Sequence, residues 1–340
     1  FIDNEKIKFG NTEIPLDYYG RCPEMNTDGT VTVAEAESSY GYLCKAKDAY
    51  GDSYYFRGNV TNNYVLFGGF YWRIIRMNGD GSVRVIYDGT TAHANGESSS
   101  DRQIGTSVFN DGYRRNEAVY LPSYYNAHVG YMYGAVLAST YAETHANTNN
   151  STIKTYLDTW YENNIKGTSN EQYVKDNLFC NDRSFSPSNS GTGAGTSSTS
   201  YNWAIWHTSK INLKCPQQND AFTVSDTTNG NGALTYGVGL VTTDEIVLAG
   251  GWSSANSNYY LYSGQSYWTM SPLGFYDYYA RVRNVSSGGN AAVTNDRAPA
   301  TGGGRDSVMN SYGTRPVLNL SSEILKNGNG TVSDPYHLAS

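Results

Sequence analysis

The chain lacks any long apolar run, and it also lacks an excess of positive charge. Over its 340 residues, no stretch approaches the roughly 20 consecutive apolar residues that a membrane-spanning helix needs. The formal net charge is -7 and no basic run is present, which argues against a nucleic-acid partner. We therefore expect contact with a membrane only through an anchor outside these residues, and no contact with nucleic acid.

Cysteine is scarce, and the spacing of the four cysteines lacks a C-x-x-C metal or redox motif. The spacing favours disulfides between cysteines that follow one another in the chain, Cys22 with Cys44 and Cys180 with Cys215. Each disulfide would close a loop of roughly 20 to 35 residues and stabilise the fold by about 3 to 4 kcal/mol on a chain-entropy estimate. The alternative is four buried free thiols in a cytosolic protein. We favour two disulfides and an exported protein.

The sequence patterns of common catalytic sites are lacking as well. The chain has no Gly-x-Ser-x-Gly elbow, and its five histidines lack metal-ligand spacing. Asp244 and Glu245 could form an acid/base pair, but adjacent side chains point in different directions, which favours a capping box at Thr242 or Thr243. Residues 226–232 could supply calcium ligands, although they are more typical of a plain turn. We predict no enzymatic activity, no cofactor and no obligatory metal.

Tyrosine and glycine are abundant, with 31 and 36 residues, a composition typical of a β-rich extracellular protein with many turns. The clearest β-hairpin joins Tyr64–Met77 to Ser82–Tyr87 through a Gly-rich turn. Arg73, Arg76 and Arg84 interrupt its apolar positions. They could bind an anion, but we expect them to pair or to extend beside a buried sheet.

Two helices are expected near the middle of the chain. Closely spaced small residues predict a tightly packed helix over Val129–Tyr141, and an apolar face predicts a second helix over Ser151–Asn164 with a Ser or Asn cap. Tyr173–Phe179 is expected to add a short helical turn. Because helices and strands do not alternate, the pattern indicates an α+β fold with a β-hairpin sheet, two early helices and long irregular loops.

Low-complexity and turn-rich stretches set the predicted boundaries. Residues 184–200, rich in Ser, Gly, Thr and Asn, are expected to form a mobile surface loop held at its base by the second disulfide. Gly237–Ala249 is expected to begin as a strand and become helical at Thr243. We divide the chain into a lead-in over residues 1–50, a main domain over 51–325 and a tail over 326–340.

An insert of unusual composition lies between two strand-like flanks, Tyr267–Pro272 and Thr314–Leu320. It is dense in Tyr, Arg, Asn, Ser, Gly and Asp, the side chains that dominate antibody binding surfaces. Rigid aromatic rings and guanidiniums supply binding energy there, and short polar groups supply adaptable hydrogen bonds. The insert is therefore predicted to be a displayed binding surface.

Strand alternation assigns faces within the insert. Ala280, Val282 and Val285 are expected to belong to the scaffold, Arg281 and Arg283 to point outward, and Asn284 to lie at a break in the alternation. Phe275 is expected to fold back onto the core. The candidate ligand-binding residues are Tyr276, Asp277, Tyr278, Tyr279, Arg281, Arg283, Asn284, Ser286, Ser287, Asn290, Thr294, Asn295, Asp296, Arg297, Arg305, Asp306, Asn310 and Tyr312.

Five segments together resemble, in this order, a widespread family of bacterial exported proteins: Phe67–Tyr87, Val129–Gly134, Leu240–Gly250, Tyr267–Pro272 and Arg315–Leu320. The resemblance covers most of residues 20–320. That family has a variant of the C-type lectin fold, related to formylglycine-generating enzymes, and some members are the variable proteins of diversity-generating retroelements. The resemblance implies a C-type lectin-like domain over residues 51–325, with a variable region at about 274–314, on the bacterial cell surface.

Residue types within the insert agree with adenine-directed mutagenesis, which diversifies such cassettes. Changing the adenines of an AAY codon yields Tyr, Asp, Ser, Gly, Arg and others, but never Lys, Glu, Gln, Trp or Met. Between Gly274 and Thr314 the sequence has no Lys, Glu, Gln or Trp, and Met309 is the exception that must be a fixed position. An oxidase of the formylglycine-generating type would need paired reactive cysteines, which the framework spacing does not provide.

The resemblance thus implies a surface receptor or adhesin with a hypervariable binding face. Its expected partner is an unknown protein or glycan on a cell, phage or host surface. The alternative is a structural or pilus-like surface subunit without diversification, in which the Tyr/Arg-rich insert would be buried in contacts between subunits.

Overall fold

The computed structural model describes residues 5–111, 125–202, 210–291 and 307–339. Its strands, in chain order, are β1 Lys6–Phe9, β2 Thr12–Pro15, β3 Glu24–Met25, β4 Val31–Thr32, β5 Tyr42–Asp48, β6 Gly51–Arg57, β7 Tyr64–Phe67, β8 Phe70–Met77, β9 Val83–Gly89, β10 Thr106–Ser107, β11 Met132–Tyr133, β12 Asn149–Asn150, β13 Phe179–Cys180, β14 Thr199–Ser200, β15 Lys210–Ile211, β16 Ala221–Phe222, β17 Val238–Gly239, β18 Tyr267–Tyr276, β19 Tyr279–Val285, β20 Tyr312–Gly313 and β21 Val317–Leu320. The α-helices are α1 Tyr141–Thr144, α2 Thr152–Asn164 and α3 Thr243–Ala249. Short 3-10 helices span Ser100–Arg102, Asn126–Val129, Glu171–Tyr173, Gln218–Asp220 and Ser322–Leu325. This mixture confirms the predicted α+β class.

The larger sheet is antiparallel and has the strand order β17-β21-β9-β8-β6-β5, with β7 beside the first half of β8. Its centre is the hairpin of β8 and β9, which confirms the predicted turn. The predicted first arm, Tyr64–Met77, is not one strand, because the chain reverses between Phe67 and Phe70 and forms the antiparallel pair β7 and β8. The turn is closed by a bond from the Asn78 N–H to the Ser82 carbonyl at 2.8 Å. The Asp80 carboxylate accepts from the Ser82 N–H and hydroxyl, which holds the turn locally. The strong turn signal therefore predicted this pairing correctly.

A second sheet, of five strands, carries the insert. Its strand order is β10-β20-β18-β14, and β19 pairs with the other edge of β18 as an antiparallel hairpin. The register of that hairpin shifts on either side of Pro272. Proline has no N–H to donate to a ladder, so an irregularity at this position of a central strand is expected. The hairpin of β18 and β19 becomes the framework of the candidate site.

Helix α2 confirms the predicted second helix. The Ser151 hydroxyl accepts from the Lys154 N–H and caps it. Ile153, Leu157 and Tyr161 are buried on the apolar face. Trp160 on the same helix contacts the ring of Trp72 in β8, with centroids 6.0 Å apart. Burial of this face against the larger sheet stabilises the helix more than its intrinsic propensity does.

The prediction of a helix over Val129–Tyr141 is wrong. The chain there forms a 3-10 turn, then β11, and only the four-residue α1 at its end. The small residues in this segment allow other parts of the backbone to pack closely against it, and they do not form a helix interface. A Cβ on Gly134 would lie 1.9 Å from the Glu143 carbonyl oxygen. The predicted helical turn over Tyr173–Phe179 is also wrong, because the 3-10 helix ends at Tyr173 and extended chain leads into β13.

Both predicted disulfides are present, Cys22 with Cys44 and Cys180 with Cys215. The segment 184–200 is tied down more firmly than a mobile surface loop, since Ala194 and Thr199 are buried. The Asn126 side-chain amide donates to three carbonyls of this segment. Among the described residues, no helix is long and apolar enough to cross a membrane.

Residues from the predicted lead-in and tail contribute to the main core. Strand β5, within residues 1–50, pairs along its whole length with β6 across the predicted boundary. In the tail, Tyr336 is fully buried and forms a bridge with Val65. The lead-in and tail are therefore packed on the main domain in this structure.

Candidate functional site

The hairpin of β18 and β19 ends in a two-residue turn formed by Asp277 and Tyr278. Tyr276 and Tyr279 are paired on either side of it. The turn residues have φ angles of 49° and 66°, the left-handed values of a type I′ turn. Such turns favour Gly, which has no Cβ to crowd the following carbonyl oxygen, and Asn, whose short polar side chain can hydrogen-bond to the local backbone. The chain therefore keeps a tyrosine at a position where glycine would be less strained.

This turn, together with Tyr279, forms the hairpin tip and displays side chains to solvent. Tyr278 is 66% exposed and Tyr279 is 37% exposed. Immediately behind them, Phe275, Ala280 and Val282 are buried, as the sequence predicted. The exposed side chains of the tip are therefore only a few residues away in sequence from side chains that are buried in the core.

Two further candidates lie beside the tip. The Tyr276 hydroxyl donates to the Ser200 hydroxyl at 2.5 Å, which fixes its ring against β14. Arg281 extends back over the Tyr276 ring, with the guanidinium carbon 5.9 Å from the centroid. The Arg281 guanidinium also lies 3.9 Å from the carboxylate of Asp277. A tyrosine, an arginine and an aspartate thus form one surface that offers both hydrogen-bond donors and acceptors.

The predicted outward orientation of Arg283 is wrong, and Asn284 is buried as well. They are 5% and 4% exposed. The 3-10 helix Asn126–Val129 contacts both β18 and β19. Residues 282–285 are all buried, so both faces of β19 are covered there, and inward and outward positions alternate only near the tip. The backbone carbonyl of Arg283 accepts from the Thr269 hydroxyl. Because both side chains are buried, neither is displayed on the outer surface for a ligand.

The remaining candidates fall into three groups. Ser286, Ser287 and Asn290 form the turn after β19, where the Ser286 N–H donates to the Asn290 carbonyl. Asn310 donates to the Tyr312 hydroxyl, and the Tyr312 ring packs on Trp268 with centroids 4.8 Å apart. The third group lies outside the described residues: Thr294, Asn295, Asp296, Arg297, Arg305 and Asp306.

Two segments of the insert, one after β19 and one before β20, pair with β19. Ser307 forms a bridge with Arg281, and the Val308 N–H donates to the Ala280 carbonyl at 3.1 Å. Ala291 forms a bridge with Val285 further along the same strand. Both described segments that flank residues 292–306 therefore pair with the strand that carries the tip.

Substituting Tyr278 with glycine is expected to raise the free energy of unfolding by about 0.5 to 1 kcal/mol. Glycine removes the strain of the left-handed conformation, and the greater freedom of the unfolded chain offsets part of that gain. Urea unfolding measures the difference. The matched control is Tyr279→Gly, which places glycine in a strand and is expected to lower stability. Equal losses in both variants would contradict the left-handed strain at Tyr278.

Sequence reasoning missed a cleft of about 210 Å³ that lies next to Ser271 of β18. Asp182 and Asp244 line it, although they lie far apart in the chain. Burial, followed by the neighbouring Asp182 and Glu245 carboxylates, raises the pKa of Asp244 to about 7, and Arg283 partly opposes this shift. Burial also raises the pKa of Asp182 to about 6. Carboxyls with raised pKa values in a cleft are a feature of many functional sites.

Glu245, the neighbour of Asp244, has a structural role. The Thr242 hydroxyl accepts from the Glu245 N–H, and the Glu245 carboxylate accepts from the Thr242 N–H. This capping box, predicted from sequence, starts α3. Residues 226–232 contain the predicted turn, because the Asp226 carboxylate accepts from the N–H groups of Thr228 and Asn229.

Asp244→Asn is expected to remove part of the pH dependence of stability. Because the folded-state pKa of Asp244 is raised, the folded protein binds more protons than the unfolded chain between about pH 4 and pH 7. Stability from this group is therefore full at acid pH and is lost as the pH rises. The asparagine variant is expected to match the parent at pH 4 and exceed it by about 1 to 3 kcal/mol at pH 8. Urea unfolding across this range, with exposed Asp277→Asn as control, measures the difference; parallel profiles would contradict it.

Comparison with protein-family models, with curated proteins and with solved structures finds no match. Within the described residues, no group of three or more His, Cys, Asp or Glu side chains is arranged to hold a metal ion. The hairpin tip and the cleft are thus characterised by their own geometry.

Proposed function

We propose that this protein is a ligand-binding receptor or adhesin of the bacterial cell surface, with a C-type lectin-like fold and a retroelement-diversified binding face centred on the hairpin tip. The observation that carries this proposal is the exposed Tyr278 and Tyr279 standing directly on buried Phe275, Ala280 and Val282. Such an arrangement separates the residues that would vary from those that hold the fold.

The energetic consequence of that separation supports diversification. Substitutions at exposed positions away from special contacts usually change stability by no more than about 0.5 kcal/mol. Substitutions of buried apolar side chains such as Phe275 typically cost about 3 to 5 kcal/mol. A cassette that varies the tip while Ala280 and Val282 stay constant would produce many surfaces on one stable backbone.

The side chains of the tip are suited to binding. Tyrosine rings combine large contact area with few rotatable bonds, so little conformational entropy is lost when a ligand binds. Arg281 supplies a planar group of donors, and Asp277 supplies acceptors beside it. The conformation of the tip is defined before binding, because Asp277 and Tyr278 form a tight turn.

The two disulfides support an extracellular location. Disulfides persist in oxidising compartments and are rare in reducing ones. Cys22–Cys44 joins the loop before β3 to β5, and Cys180–Cys215 joins β13 to the segment after β15. Both crosslinks lie outside the hairpin tip, so they stabilise the scaffold without restricting the residues proposed to vary.

Deep sequencing of this gene from a bacterial population tests the proposal. Substitutions are expected to concentrate between Gly274 and Thr314 at adenine-derived codons, while Phe275, Ala280 and Val282 stay fixed. A near-copy of the coding segment beside a reverse-transcriptase gene is the expected companion. Variation that is no denser in the insert than elsewhere would overturn the proposal and favour a structural subunit. In that case, cross-linking through a cysteine introduced at Tyr278 is expected to join neighbouring subunits.

A further inference from the structure

A second group of exposed aromatic residues lies outside the insert. Tyr18, Tyr19 and Tyr40, which we call the tyrosine platform, are 61%, 44% and 65% exposed. The rings of Tyr18 and Tyr19 meet edge to face at 4.8 Å, and those of Tyr19 and Tyr40 stack at 5.3 Å. Singly exposed aromatic residues are ordinary, but a contiguous exposed aromatic surface marks an interaction site.

The backbone beneath the tyrosine platform is fixed by several independent contacts. Asp17 has a φ of 50°, and its carboxylate accepts from the N–H groups of Arg21 and Cys22 at 2.7 Å each. Cys22 is bonded to Cys44, and the Asp17 N–H donates to the Leu43 carbonyl. These contacts position Tyr18 and Tyr19 before any ligand arrives, which lowers the entropy lost on binding.

A groove of about 280 Å³ adjoins the tyrosine platform. Besides Tyr18 and Tyr19, the described residues that line it are Ile14, Pro15, Gly41, Tyr42, Phe56 and Asn62. None of these lining residues is charged, so the groove offers no partner for a charged ligand. The phenol hydroxyls of the platform and the Asn62 amide supply groups that can bind polar atoms at its edge.

We propose that the tyrosine platform and its groove bind a neutral carbohydrate. A pyranose ring has an apolar C–H face that packs on a tyrosine ring, and hydroxyls at its edge that hydrogen-bond to phenols and amides. A proline-rich peptide is the other neutral ligand for aromatic grooves, but it inserts prolines between separated aromatic residues. Here Tyr19 contacts both of its neighbours, Tyr18 edge to face and Tyr40 by stacking, so neither pair is separated enough to admit a proline. The exposed ring faces of the tyrosine platform favour contact with the C–H face of a pyranose.

The test is ligand-observed saturation-transfer NMR on the full chain with neutral tetrasaccharides of glucose, mannose, galactose and N-acetylglucosamine at millimolar concentration. Tetragalacturonate is the charged comparator and decaproline the peptide comparator. At least one neutral sugar is expected to bind, and Tyr18→Ala and Tyr40→Ala are each expected to weaken its binding about tenfold or more, equivalent to about 1.4 kcal/mol. Leu137→Ala, which removes an exposed side chain elsewhere, is expected to change nothing.

Three outcomes would overturn the proposal: no signal from any neutral sugar, a signal that survives Tyr18→Ala, or binding of decaproline alone. A concentration-dependent dimer that Tyr18→Ala abolishes would also overturn it, by assigning the tyrosine platform to a second copy of the chain. Tyr278→Ala is expected to leave sugar binding intact. The proposal for the tyrosine platform and the proposal for the hairpin tip can therefore be confirmed or overturned independently of each other.

Discussion

Glu245→Ala is expected to lower the free energy of unfolding by about 3 to 5 kcal/mol, because it removes the carboxylate that two buried arginines share. The Glu245 carboxylate lies 2.5 Å from the Nε of Arg84 and 3.2 Å from that of Arg76. All three side chains are buried, and Arg76 has a second partner in Asp48 at 2.6 Å. Alanine leaves the buried Arg84 guanidinium without its ionic partner.

Glu245→Gln separates the two roles of this residue. The glutamine oxygen still accepts from the Thr242 N–H and preserves the start of α3, so only the ionic contribution is lost. We expect glutamine to lose most of the stability that alanine loses. Urea unfolding at pH 7 measures both variants, with Glu13→Ala in the exposed pair with Lys6 as control. A loss below about 1 kcal/mol for Glu245→Ala would contradict the importance of this buried cluster.

The pH dependence of this contribution has the opposite sign to that of Asp244. Burial alone raises the pKa of Glu245, but the guanidiniums of Arg84 and Arg76 outweigh it and lower the pKa below its usual value. A lowered pKa means that the stabilisation is complete above the ordinary carboxyl range and is lost as the pH falls through the folded-state pKa. The Glu245→Ala variant is therefore expected to differ least from the parent in strong acid.

Arg315→Met is expected to lower the free energy of unfolding by about 3 kcal/mol. The guanidinium of Arg315 is buried and donates to the carbonyls of Tyr87 and Leu261, at 2.9 and 2.8 Å. It also lies 2.8 Å from the Asp88 carboxylate, which it shares with Arg102. Methionine fills much of the volume but leaves two carbonyls with fewer donors and weakens the neutralisation of Asp88.

The matched control for this prediction lies inside the insert. Arg281→Met removes the same charge from beside the hairpin tip, where the ionic contact with Asp277 is 3.9 Å long, and is expected to cost less than about 1 kcal/mol. Urea unfolding of the two variants compares the stability that a buried scaffold arginine contributes with the stability that an arginine beside the hairpin tip contributes. Similar losses at Arg315 and Arg281 would contradict the separation of the scaffold from the residues proposed to vary.

The sequence predicted correctly the elements that are held by contacts between residues close together in the chain. The Gly-rich turn predicted the hairpin of β8 and β9, and the spacing of apolar residues together with the Ser151 cap predicted α2. Thr242 and Glu245 predicted the capping box of α3. In each case, the decisive contacts join residues close together in the chain, so the pattern itself contains the information.

Features that depend on distant segments were not predictable in the same way. Arg283 looked outward because β19 alternates, but both faces of β19 are covered at residues 282–285, and segments that contact this strand, such as the 3-10 helix Asn126–Val129, lie far earlier in the chain. The Asp182 and Asp244 carboxyls line one cleft only when the segment after β13 and the start of α3 are packed side by side. The prediction of a helix over Val129–Tyr141 failed because small residues permit close backbone contact as readily as helix packing.

The bridges of Arg281 with Ser307 and of Val285 with Ala291 have a consequence for length as well as for sequence. The chain leaves β19 and returns to it, so residues added or removed between Ala291 and Ser307 need not alter the spacing of its two attachment points. For a segment joined at both ends, doubling the length costs only about 0.6 kcal/mol of closure entropy. Insertions and deletions there would give evolution a second way to vary the chain without moving its two attachment points on β19.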